Sequence, residues 1–322
     1  MTNTRGNHDP AGPGPAPAGD GPNSPAGHEW TAHESAGHES AGTDAVSAGP
    51  LTSTWADRVR SAAFAHEDID GVPLVTDRPW VIAHRGYSGA APENTLAAVD
   101  AARMIGADWI EVDLHVSGDG TPTVIHDQSV DRTTDGSGAV SRLDDDALSR
   151  LDAGSWAGPG FAGQRLPKLD TLLKDVSTKG GRLLLELKGE WSPGAVASVA
   201  GSIIDEGMAD RVVVQSFSVP TLAHLRDIAP LVERCLLRTT PREDDMRVVD
   251  ELQALAYNPS VRGFFTRRHV VDRFLDAGYG MFVWTVDEPA SWERLLGAGV
   301  HGVITNLPAT LQGYIAAKYD AV

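Results

Sequence analysis

From residue 80 onward, short runs rich in β-branched and aromatic residues alternate with longer stretches whose apolar positions recur every three or four residues. The runs 80–83, 109–114, 182–187, 211–215, 232–237, 254–257, 281–286 and 302–305 predict strands. Between them, stretches such as 95–104, with Asn94 as the expected cap, and 291–296 predict helices. Strand and helix in eightfold alternation predict a parallel sheet closed into an α/β TIM (β/α)8 barrel, with a doubly wound open sheet as the alternative. The sixth run has the weakest strand pattern of the eight. The span 79–316 has the size of one such barrel, typically about 250 residues.

The chain before the barrel has another character. Its first fifty residues hold nine Gly and seven Pro, and their only large apolar residues are Met1, Trp30 and Val46. Such a stretch buries too little surface to offset the entropy of ordering it, so residues 1–50 are expected to be a disordered extension. Within it His28-Glu29, His33-Glu34 and His38-Glu39 recur every five residues. That repeat reads as low-complexity linker, with a metal-binding tract as the alternative. Residues 51–78 turn amphipathic through Trp55, Val59, Ala62 and Phe64, and predict a helical lead-in. Residues 317–322 are expected to be a short C-terminal tail.

Charge narrows the choice of partner. Forty-four acidic against 27 basic residues give a formal charge of −17. A chain this acidic lacks the footprint of a nucleic-acid binder and is repelled by anionic membranes. An anionic substrate would therefore need a local cation to hold it. The single cysteine, Cys235, precludes an intramolecular disulfide or a cysteine-based zinc site, and its apolar neighbours predict a buried thiol. Neither an apolar leader nor a run of 18 apolar residues is present, so a cytoplasmic location without stable membrane association is expected.

In a parallel barrel the chemistry sits at the C-terminal ends of the strands. The first predicted strand runs into His84-Arg85-Gly86, and its loop into Pro92-Glu93-Asn94. The second carries Glu111, Asp113 and His115, and a short β-like stretch after it ends in His126-Asp127. The third ends in Glu186-Leu187-Lys188, the fourth in Gln215-Ser216-Phe217, the seventh in Trp284-Thr285 and the eighth at Asn306. Glu111 and Asp113 are two residues apart, so on a strand they face the same way; Glu186 and Lys188 repeat the geometry. Three carboxylates converging on one mouth repel one another unless a cation lies between them. All-oxygen ligation selects a hard ion, Ca²⁺ or Mg²⁺. The alternative is that Glu111 and Asp113 face outward to helices, leaving Ile110, Val112 and Leu114 to fill the interior. Arg85 offers a planar fork to phosphate oxygens and Lys188 a point charge. His84 and His126 are candidates for general acid and base, which together with the cation points to metal-assisted phosphoester chemistry without a protein nucleophile.

At these residues the sequence resembles the glycerophosphodiester phosphodiesterase family. The resemblance runs through His84-Arg85-Gly86, Pro92-Glu93-Asn94-Thr95-Leu96, Gly106-Ala107-Asp108-Trp109-Ile110-Glu111-Val112-Asp113, His126-Asp127 and Asp131-Arg132-Thr133-Thr134. It continues through Leu166-Pro167-Lys168-Leu169, Glu186-Leu187-Lys188, Gln215-Ser216-Phe217, Trp284-Thr285-Val286 and Gly302-Val303-Ile304-Thr305-Asn306-Leu307-Pro308. It implies a TIM barrel that hydrolyses glycerophosphodiesters to sn-glycerol 3-phosphate and an alcohol. Carried over by position, Glu111, Asp113 and Glu186 would hold one divalent cation, His84 and His126 would be the acid–base pair, and Arg85 and Lys188 would bind phosphate. Glu93 would support the His84 loop. The resemblance also implies attack by the glycerol 2-hydroxyl on phosphorus, with the cyclic phosphate then opened by water.

The sequence departs from the family pattern at three places. Asp287 stands where Asn is frequent, and His301 and Asn306 where Asp is frequent; Asp287 and Asn306 lie near the mouth, which leaves the leaving-group preference open. The insertion 131–164 carries Trp156 and Phe161 and reads either as a small aromatic lid or as a surface loop. Trp284 is a candidate to stack on the substrate, with a core position as the alternative. A lysophospholipase D-like activity on lipid glycerophosphodiesters would need an apolar groove at the mouth. A non-catalytic ligand-binding barrel is the reading from another class, and the joint presence of both histidines and all three carboxylates argues for the enzyme.

Overall fold

The computed structural model describes residues 78–319; the expected tail and most of the lead-in helix lie outside the described residues. Parallel strands β1 (Trp80–Ala83), β2 (Trp109–Val116), β4 (Leu183–Leu187), β5 (Val212–Ser216), β6 (Glu233–Arg238), β7 (Ala256–Pro259), β8 (Phe282–Val283) and β9 (Gly302–Thr305) form one sheet. Their order is β7-β6-β5-β4-β2-β1-β9-β8. Bridges from Ala256 to Gly280 and from Ser260 to Trp284 join its two ends and close the barrel. A short strand, β3 (Pro122–Val124), folds back antiparallel on the upper end of β2.

The sixth strand starts two residues later than the sequence pattern suggests, at Ala256, and runs through Asn258 to Pro259. Asn258 accounts for the later end: it is a polar residue at an interior position, fully buried, where its amide donates to Gln215. The helix after β1, α1 (Leu96–Met104), is capped by Thr95, whose side chain accepts from the Ala98 amide. Asn94 is therefore not the cap; it has a left-handed backbone (φ 58°) and sends its side chain to Asp113. Other helices follow the expected code. In α3 (Leu169–Lys179) Leu169, Leu172, Leu173 and Val176 form the buried stripe, after the short helix α2 (Asp145–Arg150) of the insertion. In α4 (Pro193–Asp205) Ser192 caps and Pro193 occupies the first turn. Among the described residues no helix is long and apolar enough to cross a membrane.

Strand alternation sorts the side chains into two cores. Ile110, Val112, Leu114, Leu183, Leu185, Val212 and Val214 face outward and pack under the helices. Trp80, Ile82, Trp109, Leu184, Val213, Cys235, Phe282 and Ile304 face inward and fill the barrel floor. There the Trp80 ring lies 5.5 Å from Trp109 and 5.6 Å from Phe282, centroid to centroid. Because Ile110, Val112 and Leu114 are claimed by the helices, Glu111 and Asp113 must point into the barrel. The floor is close-packed, so Ile82→Ala should cost about 2–5 kcal/mol of stability. Denaturant unfolding would show it, and a loss under about 1 kcal/mol would mean the floor is not the rigid base described.

Candidate active site

Above the aromatic floor the inward positions become polar. Glu111, Asp113 and Glu186 are all buried, and one carboxylate oxygen of each lies within 4.8 Å of the other two. Lys188 Nζ lies 2.9 Å from Asp113 Oδ1 and 2.7 Å from Glu186 Oε1. These two buried oxygens nevertheless lack a well-aligned hydrogen bond. Arg85 Nε lies 3.4 Å from Asp113 Oδ2, and Arg85 Nη1 donates to Glu93 Oε1 at 2.7 Å. The backbone amide of Arg85 donates to Glu111 Oε2, and Gln215 reaches the other oxygen of Glu111 at 3.5 Å. Asn94 clasps Asp113 twice, donating to its carboxylate and accepting from its backbone amide.

The loop that brings these groups together is held in uncommon backbone geometry. Arg85 and Asn94 both have φ near 58°, rare for residues with a Cβ, and Gly86 between them has φ 73°. A Cβ on Gly86 would come within 2.6 Å of the Ala98 backbone, so only glycine lets the loop lie on α1. The Asn94 amide donates to the Arg85 carbonyl and closes the loop.

Electrostatics divides the carboxylates. Burial, then Asp113 and Glu186, hold the Glu111 carboxyl well above its usual range. Burial and then Asp113 push Glu186 up to about 7. Burial also pushes on Asp113, but Lys188 and Arg85 outweigh it and hold that carboxyl below its usual range. Two protonatable oxygens beside one fixed anion make an all-oxygen donor set that a hard divalent cation fits, and the unaligned oxygens of Asp113 and Glu186 supply its free lone pairs.

The two histidines are backed differently. His84 Nδ1 lies 2.7 Å from Asn306 Oδ1, and its Nε2 is 4.0 Å from Glu111 Oε2. Burial, and then the neighbouring Arg85, lower His84 to about 4, so the ring is neutral at pH 7. His126 Nδ1 lies 2.7 Å from the Asp127 carboxylate, which accepts only, so Nδ1 carries a proton. Arg132 spans the gap between the halves of the mouth, with bonds to both Asp127 and Glu93. Glu93 thus links Arg85 to Arg132 rather than touching His84. His115 Nε2 lies 3.0 Å from the His126 carbonyl and anchors that turn. Trp284 donates to the Asn258 carbonyl and meets Phe217 edge-on at 5.5 Å; Phe217 is 40% exposed. The insertion packs on its own cluster of Ile125, Val130, Val140, Leu148, Ala153 and Leu166, and Trp156 stays 45% exposed.

Residues 84–310 match the model of the glycerophosphoryl diester phosphodiesterase family. The chain belongs to that family. It is 35% identical over 233 residues to a glycerophosphodiester phosphodiesterase of Caldanaerobacter subterraneus subsp. tengcongensis, covering 72% of this chain and 95% of that one. Among solved structures, a phosphodiesterase of Oleispira antarctica in complex with the product sn-glycerol-3-phosphate superposes with TM-score 0.67 at 28% identity, covering 74% of this chain and 97% of that one. A glycerophosphodiester phosphodiesterase of Agrobacterium tumefaciens gives 0.62 at 30% identity, with 74% and 99% covered. Sequence patterning placed the histidines, carboxylates and cations of this family member at strand ends, but it missed the residues that orient them: Asn94, Asp127, Arg132 and Asn258. Asp127, Arg132 and Asn94 stand in motifs beside the site residues, which was the available signal.

The raised carboxyls make cation binding compete with protons. Glu186, at about 7, and Glu111, also raised, must both be deprotonated to ligate. Apparent affinity for Ca²⁺ or Mg²⁺ should fall at least about tenfold from pH 8 to pH 6, the factor that displacing the Glu186 proton alone gives. Calorimetric titration at the two pH values reads this directly, and equal affinities would contradict the assignment.

Proposed function

We propose that this chain hydrolyses glycerophosphodiesters to sn-glycerol 3-phosphate and an alcohol, using one divalent cation, Ca²⁺ or Mg²⁺, held by Glu111, Asp113 and Glu186. The observation that carries the reading is the pairing, at one barrel mouth, of a buried carboxylate triad with two histidines backed by unlike partners. Family membership and the product bound by the Oleispira antarctica relative support the substrate class. When bound, the cation supplies Lewis-acid stabilisation of charge on the phosphoryl oxygens. Arg85 and Lys188 add fixed positive charge around the same oxygens.

His84, neutral and with Nε2 free, is the base that takes the proton of the glycerol 2-hydroxyl as its oxygen attacks phosphorus. His126 is the acid. The Asp127 carboxylate behind it stabilises an imidazolium, whose Nε2 proton passes to the departing alcohol oxygen. Water then opens the cyclic phosphate with the roles exchanged: His126 takes the water proton and His84 returns its proton to the 2-oxygen. Phe217 and Trp284 offer an apolar edge to the carbon atoms of the substrate. Glu93 and Arg132 keep Arg85 and Asp127 in register.

The test is release of glycerol 3-phosphate from glycerophosphocholine by metal-stripped protein, with and without added Ca²⁺ or Mg²⁺. Turnover restored by one of the cations is expected. His84→Ala and His126→Ala should each lower it about 10²–10⁴-fold. Absence of turnover with either cation in folded protein would overturn the reading, and preferential turnover of lysophosphatidylcholine would transfer it to lipid substrates.

A further inference from the structure

His84 can act as a base only while its proton sits on Nδ1, and the groups nearest to it do not ensure that. Glu111 Oε2, 4.0 Å from Nε2, favours a proton on the wrong nitrogen. Asn306 faces Nδ1 with a side-chain amide, and an amide can turn either its oxygen or its NH2 to the ring. Ser88 does not decide the matter. Its Oγ lies 2.8 Å from both Asn306 Oδ1 and the His84 carbonyl, and a hydroxyl can donate or accept.

Asp287 does decide it. Its Oδ1 accepts from Thr305 Oγ1 and from the Asn306 backbone amide, each at 2.8 Å. Its Oδ2 accepts from Asn306 Nδ2 at 2.7 Å. A carboxylate has no proton to give, so the Asn306 NH2 must turn toward Asp287 and its oxygen toward His84. We propose that Asp287, acting through Asn306, is the positioning residue that fixes the proton of His84 on Nδ1 and leaves Nε2 free as the base. The proposal rests on the function given above for His84, but its structural half stands apart from any activity.

Asp287→Asn is nearly isosteric but brings a second NH2 into the chain. If the oxygen of the new amide keeps its bonds to Thr305 and the Asn306 backbone, its NH2 meets that of Asn306. The Asn306 amide then flips, donates to His84 Nδ1, and drives the ring proton to Nε2. In metal-loaded enzyme kcat should fall about 10²–10⁴-fold, the worth of the general base, with KM changed only a few-fold. The double variant Asp287→Asn/Asn306→Asp restores an acceptor against Nδ1 and should recover at least tenfold of the lost kcat.

Nitrogen-15 spectra of histidine-labelled protein, with the His84 signals identified by their loss in His84→Gln, read the tautomer without turnover. The expected pattern is protonated Nδ1 in the parent, protonated Nε2 in Asp287→Asn, and protonated Nδ1 again in the double variant. An unchanged tautomer in Asp287→Asn would overturn the proposal, and so would a folded double variant that keeps its proton on Nε2. If Asp287→Asn does not fold, the double variant decides alone. A parent with protonated Nδ1 but no hydrolysis would sink the proposed function while leaving the tautomer relay standing.

Discussion

Three carboxylates held inside a protein repel one another, and most of the polar architecture of this barrel answers that repulsion. Burying an ion costs several kcal/mol unless it is paired, and Glu111, Asp113 and Glu186 are all buried. Lys188 stands between two of them, and Arg85 divides its charge between Asp113 and Glu93. Two shared positive charges do not neutralise three negative ones. The remainder is carried in two ways: by protons, which explains the raised Glu111 and Glu186, or by a divalent cation that displaces them. The side chains alone leave a charge deficit, which is what a divalent cation held by the triad would fill.

Holding like charges together requires a base that does not yield. The floor beneath the triad consists of Trp80, Trp109, Phe282, Ile82, Leu184 and Ile304, all buried. On this floor the strands set the height of each inward side chain, and the paired positions Asp113↔Glu186 and Glu186↔Gln215 lie level across neighbouring strands. The strain is placed above, in the loop after β1, where Arg85 and Asn94 take left-handed backbones. That loop is fastened by Asn94 to Asp113 and by the Arg85 amide to Glu111, so the residues under strain are the ones bonded to the triad.

What could be read from the sequence follows from which signals are local. The alternation of Glu111 and Asp113 with Ile110, Val112 and Leu114 is a period-two pattern within one strand, and a strand so patterned turns its carboxylates to one face and its aliphatic residues to the other. The motif His84-Arg85-Gly86 likewise announces a strand end. Asn306 is 222 residues from His84, and Arg132 is 39 from Glu93; no periodicity connects such partners. The sixth strand runs past its predicted end for a related reason: Asn258 donates to the buried Gln215 of another strand, a partner 43 residues away.

The same distinction between charge and shape separates the two histidines. Asp127 touches His126 directly and lends it a full negative charge, whereas the charge of Asp287 reaches His84 only through the neutral amide of Asn306. Direct contact with a carboxylate stabilises a ring that has taken up a second proton; an intervening amide passes on the direction of a hydrogen bond without the charge. Close to Arg85 and inside a desolvated mouth, His84 is neutral at pH 7, whereas His126 has a carboxylate directly against its ring. What stands behind the two rings differs in origin: Asp127 is the residue next to His126, whereas Asn306 and Asp287 reach His84 from the loops after β9 and β8.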